Sequence, residues 1–227
     1  MHPKKDSFAG DKKVGGSLLT PLEIRLAAWA VPRVPLAIRT YHLTLCTIPI
    51  SLLIILFGYL AHFEIQWLWG MSAMIFMQWV TDGLDGAVGR MRDEGFIKWG
   101  FYMDHFLDYV FLCAILIGYM LMLPDGSKWI HFFVLAVFGA FMVNSYLSFA
   151  ATNEFRITYL GIGPTEIRLL FIIINTLIIF LGRTHMVGTL PYVLAFSFLG
   201  LCVVVYRTSK YIWDIDMRIK AEKSRDK

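Results

Sequence analysis

Four aspartates lie within 27 residues of this chain, at the edges of two strongly apolar stretches: Asp82, Asp85, Asp104 and Asp108. The first two are three residues apart and the last two are four apart, so on helices each pair shares one face. An acidic side chain at membrane depth costs at least about 2 to 3 kcal/mol by insertion scales. Four such residues in apolar surroundings therefore indicate a functional site.

The chemistry that four close carboxylates favour is metal binding. Like charges at short range repel one another, whereas a hard divalent cation with oxygen ligands neutralises them. Magnesium, manganese or calcium suits such ligands, and zinc is disfavoured because no Cys or His cluster completes the set. Four carboxylates can hold two metal ions, roughly 3.5 to 4 Å apart in sites that clamp a phosphoryl group. The acids therefore predict phosphoryl chemistry.

Glycines interleave with the first acidic pair, at Gly83, Gly86 and Gly89. Each costs a helix about 1 kcal/mol relative to alanine, and together they leave the backbone open for a bulky ligand beside the acids. Gly100 offers the same opening on the next helix. The alternative is close packing between membrane helices, where small residues at spacings of three or four are common.

The elements that position these residues are membrane helices. Of 227 residues, 57% are apolar and 15% are aromatic, a composition too hydrophobic for an ordinary soluble domain. A run of about 20 apolar residues crosses a bilayer, and the sequence predicts six such spans, with five or seven as alternatives. They are Leu43–Ala61, Trp67–Val88, Gly100–Leu123, Trp129–Ala151, Ile167–Leu181 and Val187–Val205. We therefore predict an all-α integral membrane protein.

Charge placement favours an even number of spans with both termini in the cytoplasm. Six spans leave only Lys128 and Arg183, among 21 Lys and Arg residues, on the opposite side, which is a strong positive-inside bias. Topology and anionic lipid headgroups then account for the net charge of +4, and no nucleic-acid partner is needed. The three cysteines are far apart within apolar spans and are interpreted as small hydrophobic residues.

Polar segments flank a single membrane domain, which we place at residues 20–208. Residues 1–19 are interpreted as a mobile polar tail and residues 209–227 as a cytoplasmic C-terminal tail. Thr20-Pro21-Leu22-Glu23 predicts a helix with Thr20 as its N-cap. The apolar positions of this helix, at i, i+4 and i+7, are Leu22, Leu26 and Trp29. They indicate either a short amphipathic helix in the membrane interface or an ordinary packing helix.

The acidic segment resembles the signature of the CDP-alcohol phosphotransferases, D-x-x-D-G-x-x-A-R followed after a spacer by G-x-x-x-D-x-x-x-D. The matching residues are Asp82, Asp85, Gly86, Arg90, Gly100, Asp104 and Asp108. Two features depart from the pattern. Gly89 stands where the family usually has alanine, and the spacer from Arg90 to Gly100 is one residue longer than is typical. The six spans, cytoplasmic termini and N-terminal interfacial helix agree with the family's architecture.

By this resemblance the chain is a membrane enzyme of phospholipid biosynthesis. It would transfer a substituted phosphate group from a CDP-alcohol to an acceptor alcohol and release CMP. Asp82, Asp85 and Asp104 would hold two Mg²⁺ or Mn²⁺ ions, and Asp108 would act as general base and also contact a metal. The nucleotide pocket would comprise Gly86, Gly89, Arg90 and Gly100. Arg90 would pair with one of the acids, contact phosphate or anchor the helix end at the membrane surface. Relatives also suggest a homodimer.

A second polar segment, from Gly161 to Arg168, opens the fifth span on the same side of the membrane. Its proline and the following Thr165 and Glu166 suit a helix N-terminus. Arg168 lies one turn inside the apolar run and is expected to contact the acceptor or a lipid phosphate. An ion pair with Glu166 or a surface anchor are the alternatives. Arg156 is a weaker candidate for the same role.

Four other polar residues lie within spans. His105 lies between two of the acids in sequence but on an adjacent helix face, so we expect it to support them rather than react. Asn144, Ser145 and Asn175 either line the pocket or join helices, and the second interpretation is favoured.

The substrate pair stays open at this level. CDP-diacylglycerol with a water-soluble acceptor is our first interpretation, and CDP-choline or CDP-ethanolamine with diacylglycerol is the alternative. A cation or proton transporter is an alternative of another class, because intramembrane carboxylates also mark ion pathways. Transport sites favour the midplane of the membrane, whereas these acids lie towards one interface. The active site is expected on the cytoplasmic side, in either the plasma membrane or the endoplasmic reticulum.

Overall fold

The computed structural model describes residues 19–94, 96–123, 126, 128–154 and 163–225, and the helices among them run along most of the chain. The predicted tail at residues 1–19 lies outside the described residues except for its last position. Eight α-helices are present in the described part of the chain. They are α1 (Thr20–Ala30), α2 (Thr40–Leu45), α3 (Thr47–Phe63), α4 (Leu68–Arg92), α5 (Ile97–Met122), α6 (Lys128–Thr152), α7 (Pro164–Leu181) and α8 (Arg183–Arg225).

Five helical segments are long and apolar enough to cross a membrane, with α2 and α3 together forming the first of them. The others are α5, α6, α7 and α8. The remaining predicted span, Trp67–Val88, corresponds to α4, which has 25 residues and is roughly 37 Å long at 1.5 Å per residue. It is less apolar than the others because Asp82 and Asp85 lie within it. The prediction of an all-α multi-pass membrane protein is confirmed.

The core forms where α3 packs against both α4 and α5. Ile54, Ile75 and Ile115 are fully buried there, one from each helix. The crossing of α3 and α5 is close because Gly58 meets Gly118, and a Cβ on Gly58 would collide with the backbone of Gly118. Small residues permit this approach, which is the usual basis of tight packing between membrane helices.

The packing of α4 and α5 differs from that of a simple helical hairpin. The closest packing of α4 is against α3 and α7, and that of α5 is against α3. The parts of α4 and α5 that carry the acids thus flank a space that other elements close. Those elements are α1, α2 and the beginning of α7.

The N-terminal helix α1 begins at Thr20, but its N-cap is Leu19, and no side chain caps the helix. The predicted N-cap role of Thr20 is therefore wrong. The reason is tertiary: Glu23 accepts a hydrogen bond from the Thr165 hydroxyl, and the Leu19 amide donates to Glu166 at 3.2 Å. These contacts fasten α1 to the first turn of α7. Its placement in the membrane interface stays a prediction.

The last helix, α8, has 43 residues and continues without a break past residue 208, where the sequence places the start of a C-terminal tail. Polar side chains join it to α6 and to the segment that follows α6. Asn144 donates to the Thr208 hydroxyl at 3.3 Å, and the Tyr211 hydroxyl donates to Glu154 at 2.9 Å. Asn144 therefore joins helices, as the favoured interpretation of the sequence has it.

Candidate functional site

Two of the four acids, Asp82 on α4 and Asp108 on α5, meet at one nitrogen of Arg168. Nη2 of Arg168 lies 3.0 Å from Oδ2 of Asp82 and 2.9 Å from Oδ1 of Asp108. The arginine is 5% exposed, and it enters from the first turn of α7, where Glu166 accepts the Gly163 amide at 2.8 Å and caps the helix. The expected alternative of an ion pair between Arg168 and Glu166 is wrong, because Glu166 is used by the cap.

Asp85, one turn beyond Asp82, is buried and is held from two sides. Thr44 on α2 donates its hydroxyl to Oδ2 of Asp85 at 2.9 Å. The amide of Gly86 donates to Oδ1 of the same carboxylate. Both carboxylate oxygens therefore have a donor, which fixes the orientation of the group.

Asp104 lies on the exposed side of the cluster. Its Oδ2 is 3.2 Å from Nδ1 of His105. The His105 ring packs between Phe101, at 4.4 Å between ring centroids, and Tyr146, at 5.9 Å. The Tyr146 hydroxyl donates to the His105 carbonyl at 2.8 Å. His105 thus supports the acidic residue beside it, as expected, and joins α5 to α6.

The acids open onto a cavity of about 1120 Å³. Asp82, Asp85 and Asp104 line it, together with Arg168 and Arg90. Asp108 is not among the lining residues, but its ion-pair partner Arg168 is. One wall is apolar and is formed by α1 and the adjacent face of α4; it includes Ile24, Trp29, Phe76, Trp79 and Val80. The cavity therefore combines carboxylates and cations with a surface suited to hydrocarbon.

The four glycines of the site differ in what faces them. A Cβ at Gly83 or Gly100 would meet nothing within 4 Å, so the backbone there is open to a ligand. A Cβ at Gly86 would lie 3.2 Å from the end of the Arg90 side chain, which can move. A Cβ at Gly89 would lie 2.9 Å from the Thr40 hydroxyl, so this glycine permits close approach of α2.

Of the two other predicted cationic residues, Arg90 and Arg156, the structure describes only Arg90. Arg90 is exposed and forms no ion pair within the described ranges, so the expected pairing with Asp104 or Asp85 is absent there. Its role in binding a nucleotide stays a prediction. Arg156 lies outside the described residues, as does the start of the polar segment at Gly161.

A metal ion is compatible with this donor set, although no three His, Cys, Asp or Glu side chains in the described part of the chain lie close enough to hold one as arranged. The ligands on offer are carboxylate oxygens, which suit a hard divalent cation. A cationic nitrogen already lies between Asp82 and Asp108. The region between α4 and α5 thus attracts positive charge, and the residues fit the predicted metal chemically.

Sequence reasoning missed Thr44 and Thr40, which bring α2 against the acidic end of α4. Their spacing of four residues places both on one helical face, and both are buried. The signal was weak because threonine is common at helix starts and in membrane spans. What identifies the pair is the crossing of α2 over Gly89, which only tertiary structure reveals.

The elements that form the site lie within a region similar to a known protein family. The sequence matches the family described as CDP-alcohol phosphatidyltransferase over residues 40–206, which begins at α2 and includes the four acids, Arg90 and Arg168. No curated protein matches the chain significantly. The family transfers substituted phosphate groups from CDP-alcohols in phospholipid synthesis and is generally dependent on a divalent metal. The chain therefore belongs to the CDP-alcohol phosphatidyltransferase family.

Proposed function

We propose that this enzyme transfers a phosphatidyl group from CDP-diacylglycerol to a water-soluble alcohol, with release of CMP, by a two-metal mechanism. The observation that carries the proposal is the single cavity shared by Asp82, Asp85 and Asp104, the open backbone at Gly83 and an apolar wall. Carboxylates suit metal-bound diphosphate, and the open glycine suits a nucleotide. The apolar wall suits acyl chains close to the reacting phosphorus.

The four aspartates have two roles in this mechanism, as metal ligands and as the general base. Asp82, Asp85 and Asp104 would hold the metal ions, which when bound supply positive charge to the diphosphate and to the leaving CMP. Asp108 accepts the proton of the acceptor hydroxyl. The acceptor oxygen forms a bond to the alcohol-side phosphorus, the bond from that phosphorus to the CMP oxygen breaks, and the electron pair leaves with CMP. Each group thus has one task in an in-line displacement.

Arg168 orients two of these groups. Its Nη2 is shared by Asp82 and Asp108, so it fixes the base relative to a metal ligand. Because Arg168 also lines the cavity, its guanidinium is placed to donate to a phosphate of the acceptor or of the lipid as well. This supports the contact predicted from the sequence.

Several features support a cytoplasmic active site. The acids, the Arg-rich end of α4 and the first turn of α7 lie at one end of the helical bundle. Arg183, predicted on the opposite side, donates to the Ala61 carbonyl at 2.6 Å, at the far end of α3. Such segregation of cations follows the positive-inside rule. A homodimer is proposed on family resemblance alone.

The test is CMP release from the purified protein in lipid nanodiscs with Mg²⁺ or Mn²⁺. Each labelled CDP-alcohol is offered in turn against a panel of acceptors. We expect release with CDP-diacylglycerol and one soluble alcohol, abolished in Asp82→Ala. Asp214→Ala, which removes an exposed carboxylate on α8, is the matched control and should retain the activity.

Other results would change the assignment. Release with CDP-choline or CDP-ethanolamine plus diacylglycerol would reverse the roles of lipid and soluble substrate while keeping the same residues. Absence of release with every pair, from protein that remains folded and binds no Mn²⁺, would contradict the proposal and favour an ion pathway.

A further inference from the structure

The carboxylate of Asp85 is oriented by a helix that carries no acid of its own. Thr44 on α2 is 4% exposed and Asp85 is 7% exposed, and the hydroxyl and the carboxylate are 2.9 Å apart. The same hydroxyl lies 3.2 Å from the Thr40 carbonyl. The contact to the Asp85 oxygen is the shorter of the two, so it is the stronger hydrogen bond.

The position of α2 is set by two further contacts with the end of α4. Glu94 accepts the Thr40 amide at 2.9 Å, which satisfies a free donor in the first turn of α2. The Thr40 side chain lies against the bare backbone of Gly89, where an alanine Cβ would come within 2.9 Å of its hydroxyl. Gly89 is also the position where the family usually has alanine. This departure is explained if α2 must approach α4 closely.

We propose that Thr44 is a positioning residue for the metal site, acting through Asp85, and that Gly89 permits it to reach that carboxylate. The inference rests on the proposed function, because it assigns Asp85 to a metal. With Thr44 at Oδ2 and the Gly86 amide at Oδ1, the carboxylate cannot rotate freely, and Asp85 lines the cavity. Groups that orient metal ligands in this way typically contribute 10- to 100-fold to metal affinity or activity.

The first experiment measures Mn²⁺ binding to the purified full chain by electron paramagnetic resonance of the free ion. Thr44→Val keeps the shape of the side chain and removes the hydroxyl, so we expect about 10- to 100-fold weaker Mn²⁺ binding. Thr44→Ser keeps the hydroxyl and should restore most of the affinity. Thr47→Val changes a buried threonine on α3 that forms no hydrogen bond with the four acids in the described part of the chain, and it should bind Mn²⁺ like the unaltered protein.

The outcomes separate the two proposals. If the unaltered protein binds no Mn²⁺, the two-metal function fails. If it binds Mn²⁺ and Thr44→Val binds equally well, the role of Thr44 is overturned while the function stands. In CMP release, Thr44→Val should raise the half-saturating Mn²⁺ concentration more than it lowers the rate at saturation, a split that general loss of folded protein does not produce.

A second pair of variants tests the packing without touching Thr44. Gly89→Ala should push Thr40 away, displace α2 and weaken Mn²⁺ binding. Adding Thr40→Ala removes the atoms that the new Cβ would meet, leaving an ordinary contact of 3.7 Å, and should recover most of the lost affinity. If the double variant binds Mn²⁺ as weakly as Gly89→Ala alone, Gly89 does not act through the position of α2, and this part of the proposal is overturned.

Discussion

Two polar clusters are built by the same three helices, and they differ in almost every physical respect. The first is the acidic site, where Asp82 on α4, Asp108 on α5 and Arg168 on α7 meet. The second lies deeper in the bundle and consists of Ser72 on α4, Tyr119 on α5 and Asn175 on α7. For comparison we name them the acidic cluster and the amide cluster.

The amide cluster is neutral and buried, and hydrogen bonds join its three side chains. The Tyr119 hydroxyl donates to Oδ1 of Asn175 at 2.7 Å, and Nδ2 of Asn175 donates to the Ser72 hydroxyl at 2.9 Å. Asn175 is fully buried. Because these hydrogen bonds run between the three helices, the cluster serves to join α4, α5 and α7.

The acidic cluster is charged and open to the cavity. Among the described residues Arg168 pairs with two of the carboxylates, those of Asp82 and Asp108, and three of the four acids line the cavity. Buried or half-buried charge is tolerated only with compensation. Neutral polar residues that join helices thus differ from charged residues that line a cavity, although both kinds look alike in a hydropathy profile.

The sharpest test of this difference is Asp108→Asn. The amide retains the oxygen that accepts from Arg168 and loses the ability to take a proton. We expect turnover to fall about 10²- to 10⁴-fold, the contribution typical of a general base. Binding of Mn²⁺ and of CMP should change little, as measured by electron paramagnetic resonance and calorimetry. Loss of metal binding together with turnover would instead make Asp108 a metal ligand.

The next largest effect is expected from Arg168→Gln. Removing one partner of a buried ion pair leaves uncompensated charge and costs about 3 to 5 kcal/mol. The thermal midpoint of the metal-free protein should therefore fall, and Mn²⁺ should restore much of the loss because it supplies the missing positive charge. Thermal unfolding with and without Mn²⁺ measures both.

A matched control for that variant is Arg92→Gln. Arg92 donates to the carbonyls of Ile38 and Val34 at 2.6 and 2.7 Å, so its loss should lower the midpoint by an amount that Mn²⁺ does not restore. If Mn²⁺ fails to rescue Arg168→Gln as well, the guanidinium is a structural tie and does not compensate the metal site.

Much of the fold could be predicted because the hydrocarbon core imposes simple rules. Apolar run length predicted the ends of α5, α6 and α7 to within a turn, whereas α8 extends to Arg225, far beyond the predicted end at Val205. The motif indicated the acids and Gly100. What could not be predicted depends on which helices cross. Three such contacts join residues more than 40 positions apart in the sequence. They are the ion pair of Arg168 with Asp82, the hydrogen bond from Thr165 to Glu23 and the hydrogen bond from Thr44 to Asp85. Spacing along one helix carries no information on such pairs.

The amide cluster allows the smallest and cleanest prediction. Asn175→Ala removes both hydrogen bonds, and interhelical hydrogen bonds in membranes average about 0.6 kcal/mol with a maximum near 1.7. We therefore expect a loss of about 1 to 2 kcal/mol in the free energy of unfolding. CMP release per folded molecule should stay unchanged and Mn²⁺ should not restore the stability. A double-mutant cycle with Ser72→Ala should give a coupling energy near the average value. If CMP release per folded molecule fell instead, the two clusters would be coupled through α7, and the hydrogen bonds that join the helices would also position the acidic cluster.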